Sequence, residues 1–240
     1  MPLSLCDRIP DVAAQDLVAG FVPPPHFASV SFESYRPDPY YPGQAAAVAG
    51  ARAFVAAPAQ VKKRGWLRKA TPAEMRPGLY LDGGFGVGKT HLLASIWHAT
   101  EGPKAFGTFV EYTHLVGALG FAGAVEALSD RVLVCIDEFE LDDPGDTVLM
   151  SSLLMALTER GVRLAATSNT LPDALGEGRF AADDFLREIQ GLSAHFDVLR
   201  IDGVDYRHRG VPKAPPALEE AAVVALANAT PGATLDDFDA

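Results

Sequence analysis

Cysteine is nearly absent from this chain, with two, Cys6 and Cys135, among 240 residues. Neither a disulfide framework nor a clustered zinc site can be built from them. Cys135, inside an apolar run, reads as a small buried hydrophobe. Basic charge is also in deficit, with 20 Lys and Arg against 31 Asp and Glu and a formal net charge of −11. Affinity for nucleic acid depends on clustered cations, so a nucleic-acid partner is not expected. No stretch reaches the roughly 18 to 20 apolar residues of a membrane helix, and Met1 to Gly20 lacks a basic segment followed by a long apolar run. These absences predict a soluble, cytoplasmic protein without a membrane span. What is present, 48% hydrophobic residues in a chain of this length, suffices for one substantial core with shorter flanks.

Residues 1–43 hold a short apolar helix around Val12 to Ala19, then prolines at 23, 24, 25, 37, 39 and 42 that impose extended or turning backbone; an arm outside the core is expected. Gln44 to Ala57 predicts a helix, and the basic residues Lys62 to Lys69 around Trp66 read as a solvated connector. From there strands and helices alternate: strands at Gly78 to Leu81, Phe106 to Tyr112, Arg131 to Ile136, Val162 to Ser168 and Phe196 to Ile201, helices at Lys89 to Thr100, Val116 to Leu128, Asp146 to Arg160 and Asp183 to His195. That alternation predicts an α/β fold, a parallel sheet flanked by helices, over 44–210. Residues 211–240 carry one more helix, Ala217 to Ala229, and a helix start capped by Thr234 that Ala240 cuts short. The expectation is a partial C-terminal helical segment that longer relatives continue.

The run Gly83-Gly-Phe-Gly-Val-Gly-Lys-Thr90, between a strand and a helix, has the spacing of a phosphate-binding P-loop. Glycines let the backbone curl its N–H groups toward phosphate oxygens, and the helix adds the positive end of its dipole. A dinucleotide-binding fingerprint would need a third glycine where Lys89 stands. Nucleotide contacts are expected from Gly83, Gly84, Phe85, Gly86, Val87, Gly88, Lys89, Thr90 and His91. Lys89 would lie against the β- and γ-phosphates and the Thr90 hydroxyl would ligate Mg²⁺. Asp137 and Glu138 follow an apolar strand, at the carboxyl edge where parallel sheets bind ligands. Asp137 is the second expected Mg²⁺ residue, and Glu138 the general base for the attacking water. Asn169, ending another strand, would reach the same edge and position that water or sense the γ-phosphate. His91, His98, His114 and His195 show no metal-ligand spacing.

Gly78 to Thr90, Cys135-Ile-Asp-Glu-Phe139, Ala166-Thr-Ser-Asn169 and Asp202-Gly-Val-Asp-Tyr-Arg207, in this order, resemble the ZapE family of cell-division ATPases and its mitochondrial relatives, most of all the actinobacterial branch. The match runs from about Phe32 to Arg209. The resemblance implies an AAA+-type domain that binds and hydrolyses ATP with Mg²⁺ and acts on a protein, in bacterial members the division-ring protein FtsZ. It places Lys89 and Thr90 in the Walker A motif, Asp137 and Glu138 in Walker B and Asn169 at the sensor position. Relatives carry an arginine finger in a Gly-Leu-Gln-Arg context; here Glu177-Gly-Arg-Phe180 offers Arg179, which acts only when a neighbouring subunit of a homo-oligomer presents it. Two other readings stay open from the residues: a helicase-loader-like ATPase working on nucleoprotein, and a non-catalytic module that responds to ATP.

Overall fold

The computed structural model describes residues 13–57, 78–140, 144–170 and 194–208, together with residues 222, 223 and 225. They hold five strands, β1 (Gly78–Gly83), β2 (Lys104–Thr108), β3 (Leu133–Asp137), β4 (Arg163–Ser168) and β5 (Phe196–Ile201). The helices are α1 (Ala14–Ala19), α2 (Pro42–Ala56), α3 (Lys89–Ala99), α4 (Phe109–Leu128) and α5 (Pro144–Glu159). The strands form one parallel sheet in the order β2-β3-β4-β1-β5. Parallel neighbours need a crossover over a face of the sheet, and helices fill that space.

Because strand side chains alternate between faces, the sheet feeds two cores. On one side Tyr80, Val134, Ile136, Leu164 and Phe196 pack with Val18 of α1, Leu128 of α4 and Leu153 of α5. On the other, Leu79, Leu81, Phe106, Cys135 and Ala165 pack with Ala51 of α2 and Leu93 of α3. Coverage of both faces explains why β1 and β3, buried at every position, read as near-continuous apolar runs. Cys135 is fully buried, and burial pushes its thiol well above the ordinary range.

The second strand is shorter than Phe106 to Tyr112. Thr108 Oγ1 accepts the Glu111 N–H at 3.2 Å, and Glu111 Oε2 accepts the Thr108 N–H at 2.6 Å. This reciprocal capping box starts α4 at Phe109, overriding the alternating Phe and Val that suggested a strand. The helix therefore begins ahead of Val116, and it kinks at Gly120, where φ is 70°.

The described part of the segment expected as an arm, residues 13–43, instead lies against the core. The Phe21 carbonyl accepts the Phe106 N–H at 2.9 Å on the edge strand β2, and Val18, Phe32 and Tyr35 are buried. Prolines fix an extended route while the aromatics between them supply apolar area. Packing divides the chain into two units, Met1–Tyr206 and Arg207–Ala240. The first holds the sheet; in the second, residues 222, 223 and 225 are helical, inside the expected helix from Ala217 to Ala229. The basic cluster around Trp66, most of the helix expected from Asp183 to His195, and the helix start at Thr234 lie outside the described residues. Among those described, no helix is long and apolar enough to cross a membrane.

Candidate functional site

The glycine loop leaves β1 at its carboxyl end and enters α3 at Lys89. Gly86 and Gly88 have φ of 68° and 93°, in the left-handed region that favours glycine. A Cβ at Gly86 would run into the Asp205 carboxylate, and one at Gly88 would come within 2.6 Å of the Tyr35 ring. Tyr35 and Tyr206 also hold the loop. The Tyr35 hydroxyl donates to the Val87 carbonyl at 2.7 Å, and the Tyr206 N–H donates to the Gly86 carbonyl at 2.8 Å. Carbonyl oxygens that would repel a phosphate are thus engaged by donors from outside the loop. Phe85 is exposed at the tip and Val87 is buried beneath it.

Lys89 Nζ donates to the carbonyls of Gly83 and Gly84, both at 2.7 Å, and to Asn169 Oδ1 at 2.8 Å. Burial lowers its pKa, while Asp137, Asp82, Glu140 and Glu138 pull it back up. Asp82, buried at the end of β1, faces Arg200 at 3.6 Å, and burial raises its carboxyl.

The expected acids stand at the carboxyl end of β3. Asp137 Oδ1 accepts from Thr90 Oγ1 at 3.1 Å and from Thr167 Oγ1 at 2.5 Å. Burial nevertheless raises the Asp137 carboxyl, against the opposing pull of Thr167, Thr90 and Lys89. Glu138 is exposed and has φ of 54°, the one non-glycine residue with positive φ among those described. Its N–H donates to Thr167 Oγ1 at 3.0 Å, and the next N–H, of Phe139, donates to the Thr167 carbonyl at 2.7 Å. These bonds hold the turn that swings Glu138 out of the sheet while Phe139 is buried.

The sheet order places β4 between β1 and β3, which is why Asn169 meets Lys89. The structure thus joins the loop, Lys89 and Asn169 on one side, and Thr90 and Asp137 on the other. The His91 ring turns to the N-terminal segment, bonding Ser34 Oγ at 2.9 Å and the Ser31 carbonyl at 3.1 Å. What His91 can offer a nucleotide is its main-chain N–H in the first turn of α3. Arg179 lies outside the described residues. Sequence reasoning gave no role to Tyr35, Thr167, Glu140 or Tyr206. Glu140 had a signal, standing directly after Asp-Glu-Phe; Thr167 and Tyr206 stood inside the quoted runs Ala166 to Asn169 and Asp202 to Arg207.

No group of three or more His, Cys, Asp or Glu residues able to hold a metal is found among the described residues. Mg²⁺ needs no such cage: it is commonly held by one or two protein oxygens, with phosphates and water completing the shell. The Thr90 hydroxyl beside a buried Asp137 carboxylate is a donor set of that kind.

Parallel sheet, glycine loop and edge acids define a P-loop domain of the AAA+ class. Solved structures that share the fold include domain III of the replication initiation protein DnaA of Thermotoga maritima (TM-score 0.55, 19% identity, 78% of this chain and 71% of that one), and DnaI (TM-score 0.57, 18% identity, 76% and 93%). At such identities the likeness speaks for the fold alone. The AFG1-like ATPase family profile matches residues 12–230, and the chain belongs to that family. It is 35% identical over 158 residues to the cell division protein ZapE of Escherichia coli K12, covering 61% of this chain and 41% of ZapE. To lactation elevated protein 1 homolog B of Danio rerio it is 26% identical over 155 residues, 55% of this chain and 31% of that one. The matched region spans less than half the length of either relative.

Proposed function

We propose that the chain is a cytoplasmic, Mg²⁺-dependent ATP hydrolase that uses nucleotide binding and turnover to act on a protein in cell division, namely FtsZ. The observation that carries this reading is the convergence of Lys89 on Asn169 at 2.8 Å and of Thr90 on Asp137 at 3.1 Å, at the mouth of a glycine loop. A triphosphate entering the loop exchanges its oxygens for the carbonyls that Lys89 now holds, with the N-terminus of α3 adding favourable field. Thr90 and Asp137 would hold Mg²⁺, which would offset phosphate charge. Glu138 takes a proton from the attacking water as its oxygen bonds to the γ-phosphorus; the bond to the β-phosphate oxygen breaks, and ADP and phosphate leave. Asn169 orients the water, and Arg179 from a neighbouring subunit in a homo-oligomer meets the γ-phosphate. The FtsZ assignment is supported by the 35% identity to ZapE, and the net charge of −11 disfavours a nucleic-acid substrate.

Steady-state hydrolysis by the purified chain and its Glu138→Gln variant, with and without Mg²⁺ and over a range of protein concentrations, tests the enzyme. Mg²⁺-dependent turnover lost in the variant supports it; unchanged turnover in the variant removes Glu138 from the mechanism. Co-sedimentation with FtsZ polymers, with and without ATP, tests the partner. Absence of any nucleotide-dependent association overturns that assignment.

A further inference from the structure

Glu140 stands two residues beyond Glu138, and its carboxylate gathers the turn that follows β4. Oε1 accepts from Ser168 Oγ and from the Asn169 N–H, both at 3.1 Å, and from Asn169 Nδ2 at 3.3 Å. Oε2 accepts from Thr170 Oγ1 at 3.3 Å. The turn is pinned again by the Tyr80 hydroxyl, which donates to the Thr170 carbonyl at 2.7 Å. Three consecutive residues of the β4 turn therefore hang on one side chain of β3's extension.

The consequence falls on the Asn169 amide. Its two ends are occupied by partners that cannot change roles: an ammonium only donates and an ionised carboxylate only accepts. Lys89 takes Oδ1 at 2.8 Å and Glu140 takes Nδ2. A flipped amide would set NH₂ against ammonium and oxygen against carboxylate, losing both charge-assisted bonds at once. The carbonyl end is thereby the end that faces the P-loop. When a triphosphate draws Lys89 away, Oδ1 keeps its direction but loses its donor. Phosphate oxygens cannot replace that donor, because they too are acceptors; a water can.

We propose that Glu140 is a positioning residue that locks the Asn169 amide with its carbonyl oxygen toward the P-loop, making Asn169 a hydrogen-bond acceptor for the attacking water and not a donor to the γ-phosphate. This rests on the ATPase reading above. Glu140 acts only through the amide it orients.

The test compares Glu140→Gln, Glu140→Ala, Asn169→Ala and the Glu140→Ala/Asn169→Ala double variant, with unfolding curves as a control for folding. For MgATP, Glu140→Ala should lower kcat by up to about a hundredfold, the loss typical of a misplaced reacting geometry, with little change in KM. In the Asn169→Ala background the same change should have no further effect. Independently of turnover, the side-chain NH₂ resonances of Asn169 in the nucleotide-free protein should shift and exchange faster with water in Glu140→Gln, which keeps the size of the residue and one acceptor. Additive losses in the double variant, or Asn169 resonances indifferent to Glu140→Gln, overturn the proposal. If the parent chain does not hydrolyse ATP, the ATPase reading fails and the water-accepting role with it, while the resonances still decide whether Glu140 orients the amide.

Discussion

Thr167 donates its hydroxyl proton to Asp137 at 2.5 Å, and the same oxygen accepts the Glu138 N–H at 3.0 Å. One β4 side chain thus sets the carboxylate expected to hold the cation and the backbone of the expected general base.

Thr167→Val keeps the shape and deletes the hydroxyl, leaving the Glu138 N–H without this acceptor and Asp137 with one donor fewer. A stability loss of about 1–3 kcal/mol is expected, measured by urea unfolding, together with slower hydrolysis. Thr167→Ser should restore both. A Val variant with parental stability and turnover would show that the two bonds do not set the acids.

Glu138 sits at φ 54°, where a side chain costs about 1–2 kcal/mol, set against roughly 0.5–1 kcal/mol for the greater unfolded freedom of glycine. Glu138→Gly should therefore match or exceed the parent in stability. Its hydrolysis should fall by roughly 10²- to 10⁴-fold, the loss of a general base. Unfolding curves and single-turnover assays on one preparation check the opposed signs; a marked loss of stability would mean that the Glu138 side chain supports the fold.

Burial raises the Asp137 carboxyl above the ordinary carboxylate range. A carboxyl raised in the fold contributes stability that is complete below its unfolded value, about 4, and is lost as pH climbs through the folded value. Asp137→Asn does not titrate there. Without nucleotide, its melting temperature relative to the parent should increase as pH rises from about 4 toward 7. With saturating ATP and Mg²⁺ at neutral pH the order should reverse, because only the parent keeps its full affinity for the bound pair. A pH-independent difference between the two would contradict the burial effect.

Within the loop, Gly84 and Gly86 should part company. A Cβ at Gly84 meets nothing within 4 Å, whereas at Gly86 it would meet the Asp205 carboxylate at a φ of 68°. Gly84→Ala should fold within about 0.5 kcal/mol of the parent; Gly86→Ala should lose about 1–3 kcal/mol and bind ATP weakly. Equal stabilities by denaturant titration would show that neither the positive φ nor the Asp205 carboxylate penalises a Cβ at Gly86.

The parts of this site that were legible in the sequence are those whose chemistry is compressed into a few neighbouring residues. Gly83 to Thr90 carries its own glycines, lysine and hydroxyl, and Asp137-Glu138 follows an unbroken apolar strand, so motif and strand confirm each other. Thr167 and Glu140 act across a ladder between β3 and β4, and their partners are fixed by strand order, which no local pattern states. The start of α4 was written plainly, since Thr108 and Glu111 have capping-box spacing, but the alternating Phe and Val spoke for the competing period. Prolines hid the role of the N-terminal segment: they interrupt long helices and strands there, yet do not keep Phe32 and Tyr35 from burial.

The position of β1 has a consequence for how the protein is made. Its two sheet neighbours are β4 (Arg163–Ser168) and β5 (Phe196–Ile201), and the Gly86 carbonyl awaits the N–H of Tyr206. On a ribosome the phosphate loop is therefore synthesised well before the strand and the N–H that complete its surroundings. Until β5 emerges, an apolar strand buried at all six positions in the finished fold has an open edge, the kind of transient surface that chaperones cover. A nucleotide that needs the finished loop can reward folding in full only after β5 and Tyr206 have arrived.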